Sequence, residues 1–436
     1  MSELDPAFHD APVHPDTVDA VHAAGLSVSR VDDASRPEVD AWLAAVSRGF
    51  LDGERNETQH QAFFERGAQR RKLGVYDGDA PQTAVPVATF ASWGTRLSVP
   101  GGDVEACAIS SVTVAPTHRR RGLLRALMAG ELRTARAAGF PVAVLTVSES
   151  GIYGRFGFAP AAHAAHWRID ARRAGWRGPV PEGRIDFLTR EAGRAAAETL
   201  HERVRQANPG EIDMPAGHWD RFFGTRPDAE KAEELRVLQY RAPAGEVEGL
   251  ALYRVSENHD DFAASTVDVV QLLTVTDAAY AALWRFLLSM DLIGTVRAGE
   301  LSVDEPLWWM LADQRAAHIS VRDHQYVRIL DVAAALGARE YAASDLLVIE
   351  VDDPLGIAGG RFLLDTRGEA AAVTPVADAP ADGLLVRLGV AELSALLLGG
   401  VSAETLARAG RVDSADPRRV ARVFSTTRAP RLGFWY

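Results

Sequence analysis

The stretch SSVTVAPTHRRRGLLRALM, residues 110–128, limits the fold of this chain more than any other segment. An apolar alternating run ends at Val114, Pro116 punctuates the turn, and Leu123, Leu124, Leu127, Met128 and Leu132 then recur at helical spacing. The apolar run PVAVLTV follows at 141–147, so strand, helix and strand succeed one another. The helix starts among Arg119 to Gly122, and its first amide hydrogens need a partner. A diphosphate satisfies them: a helix N-terminus combines free N–H groups with the positive dipole end, and Gly122 lets phosphates approach without a Cβ in the way. Arg120, Arg121 and Arg125 add charge-assisted contacts. A Walker loop would require Gly-Lys-Ser or Gly-Lys-Thr, and a dinucleotide fingerprint three spaced glycines; neither is present. For a bare Arg-Arg-x-Gly the better reading is a solvated basic helix start.

In that order these elements resemble the coenzyme A site of the GNAT superfamily. The segment GIYGRFGFAP, residues 151–160, and the aromatic chain end APRLGFWY extend the likeness to the three-domain Eis acetyltransferases. The resemblance implies acetyl-CoA as cosubstrate, no metal, and pantetheine lying between the strand ending at Val114 and the strand ending at Val147. It assigns cofactor contacts to Val112, Thr113, Val114, Arg120, Arg121, Gly122, Leu123, Leu124, Arg125, Ser148 and Glu149. The backbone N–H of Val114 would stabilise the oxyanion of acyl transfer. Tyr153, a phenol protonated at neutral pH, would be the general acid, and the C-terminal carboxylate of Tyr436 the general base that takes a proton from the attacking amine. For Tyr153 a packed aromatic is the plainer alternative, for Glu149 a solvated loop charge, for the tail an apolar cover over a groove. Where some relatives carry an acidic penultimate residue, this chain has Trp435. Asp52 in GFLDGE is a candidate for facing a cationic substrate, with a helix-cap role as the alternative.

The resemblance further implies a fold of α/β (α+β) class: tandem GNAT folds, the first catalytic and the central one degenerate, followed by an α+β domain similar to sterol carrier proteins. We expect a polar N-terminal extension over 1–26, a catalytic domain over 27–170, a degenerate copy over 171–317 and the last domain over 318–436. The extension carries Pro6, Pro12 and Pro15 without sustained periodicity and is expected to be a poorly ordered or capping arm. Helices are expected around 37–50 and 58–69. In the middle third EGLALYRV, STVDVVQLLTV and a helix beginning near Asp277 repeat the grammar of the first copy, but TDAAY replaces the Arg-rich turn. That copy is expected to hold no cofactor. From about His318 strands come first and helices later, and VRILDVAAALGAREY looks like the start of a sterol-carrier domain.

A length of 436 residues exceeds one core and calls for several domains. No apolar run reaches the roughly 20 residues of a membrane span and the start lacks a secretory pattern, so a cytoplasmic protein is expected, with no membrane partner. The single Cys107 allows no intrachain disulfide and reads as a buried strand residue. A formal charge of −12 disfavours nucleic acid and favours cationic ligands. The family implies homohexamers, dimers of trimers, acetylating aminoglycosides at several amines, an antibiotic-resistance activity, or lysine side chains; polyamines are a further alternative. A reading of another class is an apolar-ligand-binding protein with an inactive GNAT scaffold.

Overall fold

The computed structural model describes residues 6–66, 70–378 and 380–436. They form two compact units: residues up to 161 with 325–426 and Tyr436, and residues 162–324 with 427–435.

In the first unit the chain opens with helices α1 (Pro6–Asp10) and α2 (Pro15–Ala23). Strand β1 (Ser27–Arg30), helices α3 (Arg36–Phe50) and α4 (Glu57–Arg66), and strands β2 (Arg71–Tyr76), β3 (Ala88–Val99) and β4 (Gly102–Val114) follow. Helix α5 (Leu123–Ala137) then leads to β5 (Val142–Thr146). The expected end of α4, at 67–69, lies outside the described residues. Strands β1 to β4 pair in sequence order as antiparallel neighbours, and β4 pairs with β5 in parallel. Helix α5 forms because Leu123, Leu127, Met128, Leu132 and Ala135 fall on one face and are buried. Their core partners include Cys107, Ile109, Ala143 and Leu145 on one face of the sheet. Trp42 and Val46 of α3 cover Ala91.

Of the two expectations for the N-terminal arm, poorly ordered or capping, the structure shows a packed, capping arm. Pro6 and Pro15 start helices rather than break them, while Pro12 lies between the two: Pro15 stands at the first helical position of α2, where its missing N–H costs nothing. Phe8, Val21 and Leu26 are buried in the core that α5 also faces.

The second unit uses β6 (Ala159–Asp170) from residue 162 on, then α6 (Ala171–Ala174), β7 (Arg184–Leu188), α7 (Arg190–Ala207) and α8 (Ala216–Phe222). Strands β8 (Leu235–Arg241), β9 (Val247–Ser256) and β10 (Ser265–Thr274) follow, with α9 (Asp277–Leu288), β11 (Ile293–Leu301) and α10 (Leu307–Met310). Its sheet runs β6-β11-β10-β9-β8-β7, with β10 and β11 parallel. This is the order of the first unit repeated, around a core of Trp167, Tyr253, Leu283, Trp284 and Leu287.

Residues 325–329 of β12 (Ala317–Ile329) return to the first unit and pair antiparallel with β5, from Gln325↔Thr146 to Ile329↔Val142. The first copy is therefore completed by a strand from later in the chain, β12 beside β5, and the second by one from earlier in the chain, β6 beside β11. After α11 (Val332–Gly337) come β13 (Leu346–Asp352), β14 (Gly360–Asp365), β15 (Ala372–Pro375) and β16 (Leu384–Gly389). Helices α12 (Val390–Leu396) and α13 (Ala403–Arg408), β17 (Val412–Ser414) and α14 (Pro417–Phe424) close the module, whose sheet runs β15-β14-β13-β16-β17. The buried pair Arg328–Asp353, at 2.8 Å, joins β12 to this module. Among the described residues no helix is long and apolar enough to cross a membrane.

Candidate active site

The site starts from a divergence of strands. Parallel pairing of β4 with β5 ends at Ile109↔Leu145, while β4 runs on to Val114 alongside β3 alone. A bulge between Thr89 and Ala91 of β3, opposite Ser110–Thr113, bends β4 there. Ser111 takes φ 53°, and Thr89 Oγ1 donates to the Ser111 carbonyl at 2.8 Å and contacts Thr113 Oγ1 at 2.7 Å. The Ala115 N–H donates to the Val87 carbonyl at 2.8 Å, so backbone alternation turns the Val114 N–H toward the opposite edge of β4, the edge that β5 has left. An open slot with an inward N–H is what an acyl-pantetheine needs. The Thr113 side chain is engaged with Thr89 and lies against Gly49 of α3, leaving its backbone to face the slot.

At the end of the slot, α5 begins at Leu123 after a 3-10 turn over Pro116–His118, slightly later than expected. Its N-cap is Gly122, at φ 80°, with no side-chain cap, and nothing lies within 4 Å of where a Cβ would stand. Only glycine holds this conformation without strain, and the first helical N–H groups stay open to an anion. The Leu123 side chain is buried in the core and Leu124 packs against it, so both offer backbone rather than side chain. Arg120 and Arg125 are exposed around the turn. Arg121 is exposed but tied, its Nη2 donating to the Ala24 carbonyl at 2.6 Å. Asp77 accepts from His118 at 3.0 Å, which fixes the turn and holds the Asp77 carboxyl below its usual range.

Tyr153 opens a 3-10 turn beyond β5, half-buried, its ring edge-on to Phe158 at 6.1 Å. Burial raises its phenol pKa, and the nearby Glu149 charge adds to the rise, so the proton is retained at neutral pH. Val112, Val114, Leu124 and Tyr153 pack against the same core, which brings the slot, the helix start and the phenol to one face. Ser148 and Glu149 are exposed on the loop leaving β5.

The chain end belongs to this unit. The Thr146 hydroxyl, at the last residue of β5, donates to a terminal oxygen of Tyr436 at 2.9 Å. The Tyr436 ring is buried, edge-on to Trp93 at 5.5 Å, and burial pushes its phenol pKa far up. The ring is thus an anchor, and it leaves the carboxylate at Thr146. Thr146 was missed in the sequence; its signal was a single polar residue closing an apolar strand. Asp52 is exposed just past α3, and α4 is capped instead by Asn56, whose side chain accepts from the Gln59 N–H at 2.9 Å. The Asp52 N–H donates to the Ser47 carbonyl at 2.9 Å, which closes the end of α3.

Residues 427–435 of the tail are held in the second unit. Buried Glu211 accepts from Arg431 Nε at 2.9 Å and from the Gly433 N–H at 3.3 Å. His324 Nε2 donates to the Phe434 carbonyl at 3.1 Å, and the Phe434 ring meets His201 edge-on. Burial lowers the His324 pKa to about 4, so it is neutral here. No local sequence signal marks Glu211 or His324, which lie far from the tail in sequence. A cavity of about 450 Å³ on the sheet of this unit, lined by His166, Arg168, Asp268, Arg297 and His318, contains none of the expected site residues.

Comparison with known proteins agrees with this geometry. Residues 30–161 match the acetyltransferase (GNAT) domain, 210–329 match a second acetyltransferase (GNAT) domain, and 332–433 match the sterol carrier protein domain. The chain is 40% identical over 403 residues to an uncharacterized N-acetyltransferase of Streptomyces avermitilis, covering 88% of this chain and 94% of that one. It is 36% identical over 367 residues to the N-acetyltransferase Eis of Mycobacterium tuberculosis, covering 80% of this chain and 84% of that one. The crystal structure of Eis1 from Mycobacterium abscessus superposes with a TM-score of 0.78 at 29% identity, covering 94% of this chain and 100% of the other. Divergent strands, an uncapped helix start and two GNAT-matching copies ahead of a sterol-carrier module make this chain an N-acetyltransferase of the Eis type, a member of the GNAT superfamily.

Proposed function

We propose that the enzyme transfers acetyl groups from acetyl-CoA to primary amines of aminoglycosides, at more than one position per molecule. The observation that carries the reading is the Tyr436 carboxylate held by Thr146 where β5 parts from β4. In this reading the open N–H groups at the start of α5, with Gly122, Arg120, Arg121 and Arg125, hold the diphosphate. The backbone of Val112, Thr113, Leu123, Leu124, Ser148 and Glu149 lines the rest of the cofactor's path.

The chemistry takes two protons from nitrogen and gives one to sulfur. The Tyr436 carboxylate takes the first from the acceptor's ammonium group before attack, since primary amines are mostly protonated at pH 7, and the second, lost once the C–N bond has formed, replaces the proton that Tyr153 gives up. As the new C–N bond forms, the Val114 N–H stabilises negative charge on the carbonyl oxygen. When the C–S bond breaks, Tyr153 gives its proton to the departing thiolate, and its raised pKa keeps that proton available. The net charge of −12 supports a cationic acceptor, which raises the local concentration of polyamine antibiotics over anions. Asp52 is assigned to the acidic surroundings of the acceptor. A cytoplasmic homohexamer, a dimer of trimers, without nucleic-acid or membrane partners and without metal, completes the reading.

Purified enzyme, acetyl-CoA and a panel of kanamycin, tobramycin and neomycin test it through free-thiol release. More than one thiol per drug is expected. No release from any drug, with acetyl-CoA binding intact, overturns the aminoglycoside assignment and leaves lysine-bearing proteins and polyamines as acceptors.

A further inference from the structure

The arm at the amino end lies ahead of the region that matches the GNAT domain, yet it is fastened along α5, the helix that carries the diphosphate turn. Three ties hold it. Deepest is Arg71, whose buried guanidinium pairs with Glu131 of α5 through two bonds of 3.0 and 3.1 Å and also donates to the arm carbonyls of His9, Ala11 and Pro12. One guanidinium thus joins arm and helix. Farther toward the start of α5, Thr17 Oγ1 of α2 donates to the Ala126 carbonyl at 2.9 Å. Helix α2 approaches so closely that a Cβ on Gly130 would stand 1.9 Å from that hydroxyl. At the turn itself, Arg121 donates to the Ala24 carbonyl at 2.6 Å. The arm thus runs antiparallel along α5 and delivers the carbonyl end of α2, the negative end of its dipole, to an arginine of the diphosphate turn.

That last bond uses one N–H of the guanidinium and leaves its other donors. Arg120 at φ 66° and Gly122 at φ 80° flank Arg121, so the turn is held in a conformation that few residues adopt, and a fixed Arg121 restrains it from one side. We propose that the N-terminal arm is a positioning element of the cofactor site, which preorders the Arg119–Gly122 turn through the Ala24–Arg121 bond and thereby raises affinity for acetyl-CoA. The inference rests on the reading that this turn binds the diphosphate. Preordering lowers the entropy lost on binding and leaves the chemical step alone, so the effect falls on cofactor affinity and not on kcat.

The test is a thermodynamic cycle, with the affinity for acetyl-CoA measured by titration calorimetry and kcat measured at saturating acetyl-CoA. Gly25→Val perturbs the Ala24 carbonyl through the backbone: Gly25 sits at φ 72°, and nothing lies within 4 Å of the new Cβ. Removal of residues 1–24 is the second variant, with folding checked by its melting transition, because Phe8 and Val21 are core residues. Both are expected to weaken acetyl-CoA by about threefold to tenfold at unchanged kcat. Neither is expected to weaken it further once Arg121→Ala is present, since the arm acts through that side chain. Unchanged affinity in Gly25→Val, or losses that multiply with Arg121→Ala, overturn the inference while the site assignment stands. Full affinity in Arg121→Ala itself overturns the assignment of Arg121 to the site.

Discussion

The two acetyltransferase copies share a frame and differ at one helix start. In the first, β4 outruns its parallel partner beyond Ile109↔Leu145; in the second, β10 outruns β11 beyond Val269↔Ala298 and continues to Thr274 beside β9. The gap between central strands is therefore common to both copies and does not by itself make a cofactor site. What differs is the helix behind it. Helix α5 starts from Gly122 with open N–H groups, whereas α9 starts from Thr276, whose hydroxyl accepts from the Ala279 N–H at 3.2 Å and donates to Glu248 at 2.8 Å. A side chain already occupies the first turn of α9, and the Glu248 carboxylate beside it repels a diphosphate. The second copy has another use: its unit holds residues 427–435 through Glu211 and His324.

That contrast can be broken experimentally. The largest effect is expected from deleting Tyr436, which removes the carboxylate that Thr146 holds: kcat should fall by about a thousandfold while acetyl-CoA binding persists. A fall of less than tenfold would put the base elsewhere. In the second copy the expected effect is on stability. His324 takes a proton near pH 6.5 when unfolded but only near 4 when folded, so below 6.5 the unfolded chain binds more protons. Stability conferred above pH 6.5 should therefore be lost as the pH falls from 6.5 toward 4, by about 3 kcal/mol from this residue. Calorimetry at stepped pH should show a clearly smaller loss in His324→Gln.

Returning to the first copy, Tyr153→Phe keeps the ring contact with Phe158 and removes the acid, so kcat should drop about a hundredfold with little change in KM. The alkaline limb of the pH–rate profile should shift with it. Gly122→Thr imports the cap residue of α9 into α5 and puts a Cβ where phosphate approaches; KM for acetyl-CoA should rise about tenfold or more. An unchanged KM would show that the open helix start is not what separates the copies. Smallest is Thr276→Ala, expected to cost about 1 kcal/mol of stability without altering turnover.

Much of the proposed site is legible in order along the chain. The turn from Val114 to Leu132, the GIYGRFG segment and the aromatic chain end are local patterns, each carrying its chemistry within a few residues. The sequence left the arm open between poorly ordered and capping because it is polar and proline-rich, while its order comes from three buried apolar residues and from Arg71, far away in sequence. Helix α7, the longest described in the second unit, went unread because the alanine- and charge-rich sequence Arg190–Ala207 hides a narrow buried stripe of Gly193, Ala197, Leu200 and Val204. The tail was expected to dock, but its anchors were not foreseeable, since Glu211 and His324 meet it only through the fold.

By itself the sequence determined the GNAT elements, the placement of glycine at the start of α5, and an end residue whose aromatic ring favours burial. Those are properties of short segments, set by side-chain type, spacing and backbone freedom. Only the tertiary structure decided which strand completes each sheet, that Thr146 receives the chain end, and that the arm reaches Arg121. Such pairings are between residues tens to hundreds of positions apart, and they follow from burial and hydrogen-bond satisfaction across the whole fold, which no local pattern encodes.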